Sequence, residues 1–142
     1  IPKNMEIGSI ALFTVEIFFK SKRFLTKSDE AILREVWNIL KQCILIDKDV
    51  LLPRMASTKW REMFFIIAFA DQRGAEVLKQ RIHEQIGRYD ELQKIDLDTA
   101  VSCKMFEISS KKEDHPWDDL VKDITRNIGD QIESASQEED LK

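Results

Sequence analysis

The sequence predicts a single α/β domain, one sheet carrying helices in β-α-β-β-α-β order, with a further helix toward the C-terminus. Three observations predict it. Runs rich in β-branched and aromatic residues, at 9–19, 49–53, 62–70 and 98–108, alternate with runs whose apolar residues recur at helical spacing. The 142 residues suffice for one core that buries roughly two-thirds of the unfolded surface, and a second domain is not expected. The composition, 43% hydrophobic and 34% charged with four glycines and three prolines, is that of a globular protein without low-complexity segments.

Ser9–Phe19 is almost unbroken in apolar character, as expected of a central strand covered on both faces. After the basic turn Lys20–Arg23, Thr26 or Ser28 can cap a helix, and Asp29 and Glu30 favour the positive end of its dipole. Ile32, Val36, Ile39, Leu40 and Cys43 form its apolar face. Asp49–Pro53 reads as a short second strand whose pairing Pro53 limits. A polar link, Ala56–Lys59, joins it by a hairpin to a third strand, Glu62–Ala70, apolar on both faces. Asp71 caps the next helix, with Ala75, Leu78, Ile82 and Ile86 as its buried stripe and Gly87 as its expected end.

Asp98–Ile108 alternates, with Val101, Cys103 and Met105 on one face and Ala100, Lys104, Phe106 and Ile108 on the other. His115-Pro116 opens the last helix, whose apolar face is Trp117, Leu120, Val121, Ile124, Ile128 and Ile132. Residues 1–133 are expected to form the domain and 134–142 an acidic flexible tail or linker. Two βαβ-type crossovers around a hairpin define a ferredoxin-like sheet with helices on one face. The terminal helix must then dock on the other face or on a partner.

A net charge of −4 and a pI near 5.3 provide no field for a polyanion, so nucleic acid is not an expected partner. Ile10–Val15 and Met63–Ala70 are far short of the roughly 20 residues that span a bilayer. Lys3 and Glu6 precede a strand rather than a signal-peptide core. Cys43 and Cys103 sit in separate apolar patterns and are expected to be reduced core thiols, which fits the cytoplasm. His83 and His115 have no partner at metal-ligand spacing, and no metal or cofactor is expected. A start at Ile1 rather than Met is expected of a segment cut or processed from a longer chain.

Several motifs stand in an order that resembles a known family. The strand at 10–20 ends in Phe19-Lys20, Asp29–Val36 reads Asp-Glu-Ala-Ile-Leu-Arg-Glu-Val, and Asp49–Arg54 is an Asp-to-Arg strand with one residue more than usual. A hydrophobic strand, Asp71-Gln-Arg-Gly74 and Thr99–Met105 follow. Over residues 9–130 this resembles a GGDEF domain, the diguanylate cyclase module with a nucleotide-cyclase-type sheet. Active members of that family hold two divalent cations on GTP with acidic side chains.

The resemblance also implies loss of catalysis. Val15 and Ile17 stand at the metal-binding acidic positions, and recruiting Glu16 instead requires a one-residue slip to the opposite sheet face. Thr58–Met63 replaces the Gly-Gly-Asp/Glu-Glu-Phe signature, so Lys59, Trp60, Arg61, Glu62 and Met63 form a degenerate segment. Lys59 and Trp60 are expected to support neither the tight hairpin nor the close nucleotide approach that glycines permit. Arg61 reverses a metal-binding charge, while Glu62 and Met63 fit the last two positions. The product-inhibition Arg-x-x-Asp reads Ile46–Asp49, keeping only Asp49.

The expected function is therefore a non-catalytic regulatory or protein-interaction domain of a bacterial signalling protein, with no catalytic residues. It would work on a protein partner or on adjoining domains, or as a homodimer. The alternative is a GTP-binding allosteric sensor without turnover, with guanine nucleotide held weakly by Lys20, Arg23, Glu30 and Arg54. The bland counterparts are a solvated basic turn at 20–23 and a Trp60 that covers the hairpin rather than serving as an interaction hot spot.

Overall fold

A computed structural model of the chain describes residues 8–45, 48–54, 56–107 and 116–140. Lys3, Glu6, Ile46, Ile108 and His115, and the last residues of the expected tail, lie outside the described residues. In order, the elements are β1 (Ser9–Phe19), a single 3-10 turn (Lys27–Asp29), α1 (Glu30–Cys43), β2 (Val50–Leu51), β3 (Ala56–Ser57), β4 (Arg61–Ala68), α2 (Gln72–Gln93), β5 (Leu97–Glu107) and α3 (Pro116–Asp140).

The sheet runs β2-β4-β1-β5, with β3 also on β4, and every pairing is antiparallel. With β2 and β3 taken as one interrupted strand, this is the expected ferredoxin-like order. The hairpin expected between residues 50 and 70 is present. β1 is central and nearly buried throughout, because its two faces serve two separate cores. Ala11, Phe13, Val15, Ile17 and Phe19 point to α1 and α2, where Val36, Leu40, Leu78, Ile82 and Ile86 meet them. Ile10 and Leu12 point the other way, with Met63 and Phe65 of β4, and are covered by Leu120, Ile124, Ile128 and Ala135 of α3. The terminal helix thus docks on the remaining sheet face, as one of the two expected arrangements requires.

Several local expectations differ. Ala56-Ser57 is not a plain link but a short strand, held by backbone pairing to Met63 and Glu62. In α1 the buried set is Leu33, Val36, Leu40 and Cys43, so the apolar face is turned slightly from the expected one, leaving Ile32 and Ile39 half-buried. Gly87 does not end α2, which continues to Gln93 and stops where Lys94 takes a left-handed conformation, φ 52°. The Asp71 cap is as expected, its carboxylate accepting from Gly74 N at 2.8 Å.

α3 extends past residue 133, and Ala135 is buried against the sheet. Trp117 and Val121 are exposed rather than core, because the docked stripe is Leu120-Ile124-Ile128. Cys43 is buried as expected, but Cys103, on the edge strand β5, is exposed. No helix among the described residues is long and apolar enough to cross a membrane.

Candidate functional site

Charged side chains gather at the end of the sheet where β1 finishes and the β3–β4 hairpin turns. β2 pairs with β4 through Val50↔Ile67 and Leu51↔Ile66, and β3 through Ala56↔Met63. Five steps on one side therefore span three on the other, and the interrupted strand carries a bulge between its two paired pieces, β2 and β3. Arg54 sits in that bulge. Its Nε donates to Glu62 Oε1 at 2.8 Å, and its guanidinium also donates to both carboxylate oxygens of Glu30 at the start of α1.

Glu62 is on the α1/α2 face of β4, directly opposite Ile17, with its side chain only 2% exposed. Its second oxygen, Oε2, is buried with no hydrogen-bond partner. The two carboxylates raise the Arg54 pKa, and the hydrogen bond from Arg54 lowers that of Glu30. Arg54 is thus a fixed cation between two acids, one buried and one at the surface.

The neighbouring basic residues are similarly engaged. Arg23 makes a two-pronged pair with Asp29, at 2.9 and 2.8 Å, while its guanidinium lies 3.6 Å above the Phe19 ring. Asp29 is buried, also accepts from Thr26 N at 2.8 Å, and has its pKa lowered to about 2, chiefly by the Arg23 hydrogen bond. Lys20 reaches Asp96 at 3.8 Å on the surface. Of the four residues expected to bind nucleotide, the structure brings Glu30 and Arg54 into contact, and places Arg23 and Lys20 in separate ion pairs.

The degenerate segment does form a tight hairpin, contrary to expectation. Thr58 N donates to Arg61 O at 2.9 Å, leaving Lys59 and Trp60 as the two-residue tip, and neither takes a positive φ. The Thr58 hydroxyl accepts from Trp60 N and Arg61 N at 3.3 and 3.2 Å, so a side chain closes a turn that glycines were expected to need. The tip is tied to the preceding loop: Leu25 N donates to Lys59 O at 2.7 Å, and Phe24 packs edge-on to Trp60 with centroids 4.3 Å apart.

Arg61 and Met63 belong to β4 and face α3. Arg61 pairs there with Glu16 of β1, and Thr14, buried beside them, donates to Gln131 at 2.6 Å. Glu16 therefore lies on the sheet face opposite Glu62, and no one-residue slip brings it across. Val15 and Ile17 are fully buried among apolar side chains. A divalent cation does not fit this site: two of its expected carboxylates are hydrocarbon, and the nearest buried acid is already held by Arg54. Among the described residues no group of three or more His, Cys, Asp or Glu is arranged to hold a metal ion.

Sequence reasoning missed a cavity of about 560 Å³ at the other end of α1, lined by Asp49, Arg73, Gly74 and Arg81 with Leu45 and Val77. Asp49 accepts from Leu45 N at 3.0 Å, and Arg81 donates to the Cys43 carbonyl at 2.9 Å. The spacing Arg73…Arg81, two turns apart on α2, was the available signal.

No protein-family model matches the chain, and no curated protein does. Among solved structures, a fragment of PelD from Pseudomonas aeruginosa is similar over 82% of this chain, at 16% identity and a TM-score of 0.43. A second PelD fragment from that organism, in its apo form, is similar over 88%, at 17% identity and a TM-score of 0.42. The chain spans 37% and 41% of the lengths of those two fragments. A dimeric ferredoxin-like protein from an uncultured marine organism is similar over 73% of this chain and 98% of its own, at 12% identity and a TM-score of 0.39.

Proposed function

We propose that the chain is a non-catalytic GGDEF-like domain that regulates or binds other parts of a bacterial, cytoplasmic signalling protein. The observation that carries this reading is the Arg54–Glu62 ion pair beside fully buried Val15 and Ile17, at the positions where the resemblance implies cation ligands. An internal guanidinium neutralises the buried acid, and the remaining wall is apolar. Two metal ions bridging triphosphates would have to displace Arg54 and still lack carboxylates. Arg61, bound to Glu16 behind the sheet, contributes nothing to that side. Incubating the purified chain with GTP and magnesium or manganese should give no cyclic di-GMP. Product formation that falls on substituting Glu16 or Glu62 would refute the reading.

The cavity at Asp49 favours a second reading, nucleotide binding without turnover. Arg73, in the first turn of α2, and Arg81, two turns further on, supply two positive groups to a cavity that the Asp49 and Asp71 carboxylates also line, and the volume suits a nucleotide-sized ligand. Asp49 is the part of the product-inhibition motif that the chain retains. GTP placed instead at Lys20, Arg23, Glu30 and Arg54 would first have to break the four ion pairs that hold them. Calorimetry with GTP and with cyclic di-GMP tests both placements. Heat that disappears in Arg81→Ala supports the cavity, heat that disappears in Arg54→Ala supports the sheet end, and no heat at millimolar ligand refutes nucleotide binding.

A further inference from the structure

β5 forms one edge of the sheet, and among the described residues its only strand neighbour is β1. An edge of this kind presents outward-pointing backbone donors and acceptors to any extended chain. Edges are usually short, or interrupted by proline or a bulge, yet β5 runs for 11 residues without proline, glycine or a register break against β1. One of its faces is also open. Leu97, Val101 and Met105 pack under α1 and α2, and Phe106 packs toward α3. Asp98, Ala100, Ser102 and Lys104, which share the Phe106 face, are all exposed, because α3 lies over β1 and β4 and borders β5 only at Lys104 and Phe106, which line a groove with Asp123, Arg126 and Asp130.

The residues on that open face are complementary to themselves. Asp98 and Lys104 stand symmetrically about Val101. An antiparallel pairing of two β5 strands around a twofold axis at Val101 sets Asp98 opposite Lys104 of the partner subunit, and Lys104 opposite the partner's Asp98. It also sets small Ala100 opposite the partner's Ser102 and, on the other face, Thr99 opposite the partner's Cys103. Centring the axis one residue later, on Ser102, faces Asp98 with an aromatic ring and Lys104 with alanine, so charge selects the Val101 register.

We propose that β5 is a self-association edge through which two copies of this chain pair antiparallel about Val101, closed by reciprocal Asp98–Lys104 ion pairs. The two sheets then become one continuous sheet under a closed twofold, which uses up both β5 edges and leaves no β5 edge for a third copy. A contact confined to one strand from each copy lies at the small end of specific interfaces, so the association is concentration-dependent rather than obligate. It involves neither the Arg54 cluster nor the Asp49 cavity, and it stands or falls separately from the functional reading above.

Sedimentation equilibrium of the whole chain tests it. The expected result is a monomer–dimer equilibrium that weakens with added salt. Lys104→Asp should weaken it about tenfold by placing like charges opposite each other, and the added change Asp98→Lys should restore it. Circular dichroism and the urea midpoint confirm that each variant is folded. Mild oxidation of Thr99→Cys should give a covalent dimer through the native Cys103, and Cys103→Ser in that background should abolish it. A chain that stays monomeric up to millimolar protein overturns the proposal, including one that instead takes up an extended peptide of another protein. A dimer indifferent to both charge changes and to the Thr99→Cys cross-link overturns it equally.

Discussion

Replacing Arg54 with methionine should cost more stability than any other single change in its cluster. The side chains of Glu62, Arg54 and Glu30 are 2%, 27% and 46% exposed, so the two arms of the ion triad differ in kind. The arm to Glu30 is at the surface, where solvent screens it and it contributes little. The arm to Glu62 is buried, and removing the guanidinium strands a carboxylate whose Oε2 already has no partner. Breaking one side of a buried pair costs about 3–5 kcal/mol. Partial exposure of Arg54 admits some water and places the cost near the lower end, about 3 kcal/mol, or roughly 10 °C in Tm. Glu62→Gln keeps the shape, removes the buried charge and should cost about 1 kcal/mol. Arg54→Met combined with Glu62→Gln should recover much of the loss seen in Arg54→Met alone, because the uncompensated charge is gone. Urea unfolding followed by far-ultraviolet circular dichroism, with the slope m checked for constancy, measures all of these. The reasoning fails if Arg54→Met costs no more than Glu30→Gln, or if the two changes at Arg54 and Glu62 simply add.

Three further outcomes follow from single contacts. The pKa of Asp29 is lowered from 3.8 to about 2 in the fold, so its contribution is complete above about pH 4 and disappears as the pH falls toward 2. With the Arg23 side chain 44% exposed, the contribution is about 1–2 kcal/mol rather than the full value of the shift. In urea midpoints measured against pH, Arg23→Gln should flatten that acid limb, and an unchanged limb would exclude the pair as its origin. Gly87→Ala should stabilise the chain by about 0.5–1 kcal/mol, since an added Cβ meets nothing within 4 Å and the position is inside a helix. A lowered urea midpoint would contradict this. A thiol reagent should modify Cys103 in the native chain and Cys43 only after unfolding, and rapid native reaction at both would contradict the burial of Cys43.

The parts of the fold that were legible in the sequence are those in which burial leaves a pattern. Ser9–Phe19 was readable to the residue because a strand covered on both faces has no polar alternation to confuse its ends. The stripe Ala75-Leu78-Ile82-Ile86 was readable because one helix face does all the packing. Elements fixed by their neighbours were not legible. Ala56-Ser57 has no strand character of its own and is extended because β4 offers it a partner. Gly87 has the composition of a helix end, yet the stop at Lys94 goes with the turn in which Asp90 accepts from the backbone of Asp96 and Leu97. Cys103 and Trp117 were misassigned for a shared reason: periodicity identifies an apolar stripe but not how much of it a finite neighbour can cover.

At the candidate site, legibility was limited in the same way. That Val15 and Ile17 share one sheet face and Glu16 takes the other could be read directly, because position along one strand determines which sheet face a residue takes. The pairing of Arg54 with Glu62 could not be read, since it depends on how many residues β2 and β3 spend against β4. In a regular hairpin with the β3 register, Arg54 would lie opposite Phe65, well away from Glu62. The bulge between β2 and β3 shifts the two short strands relative to one another and accompanies the turn of that side chain toward Glu62 and Glu30. The pairing follows from the burial of Glu62 opposite Ile17, where a carboxylate needs a cation from the chain itself.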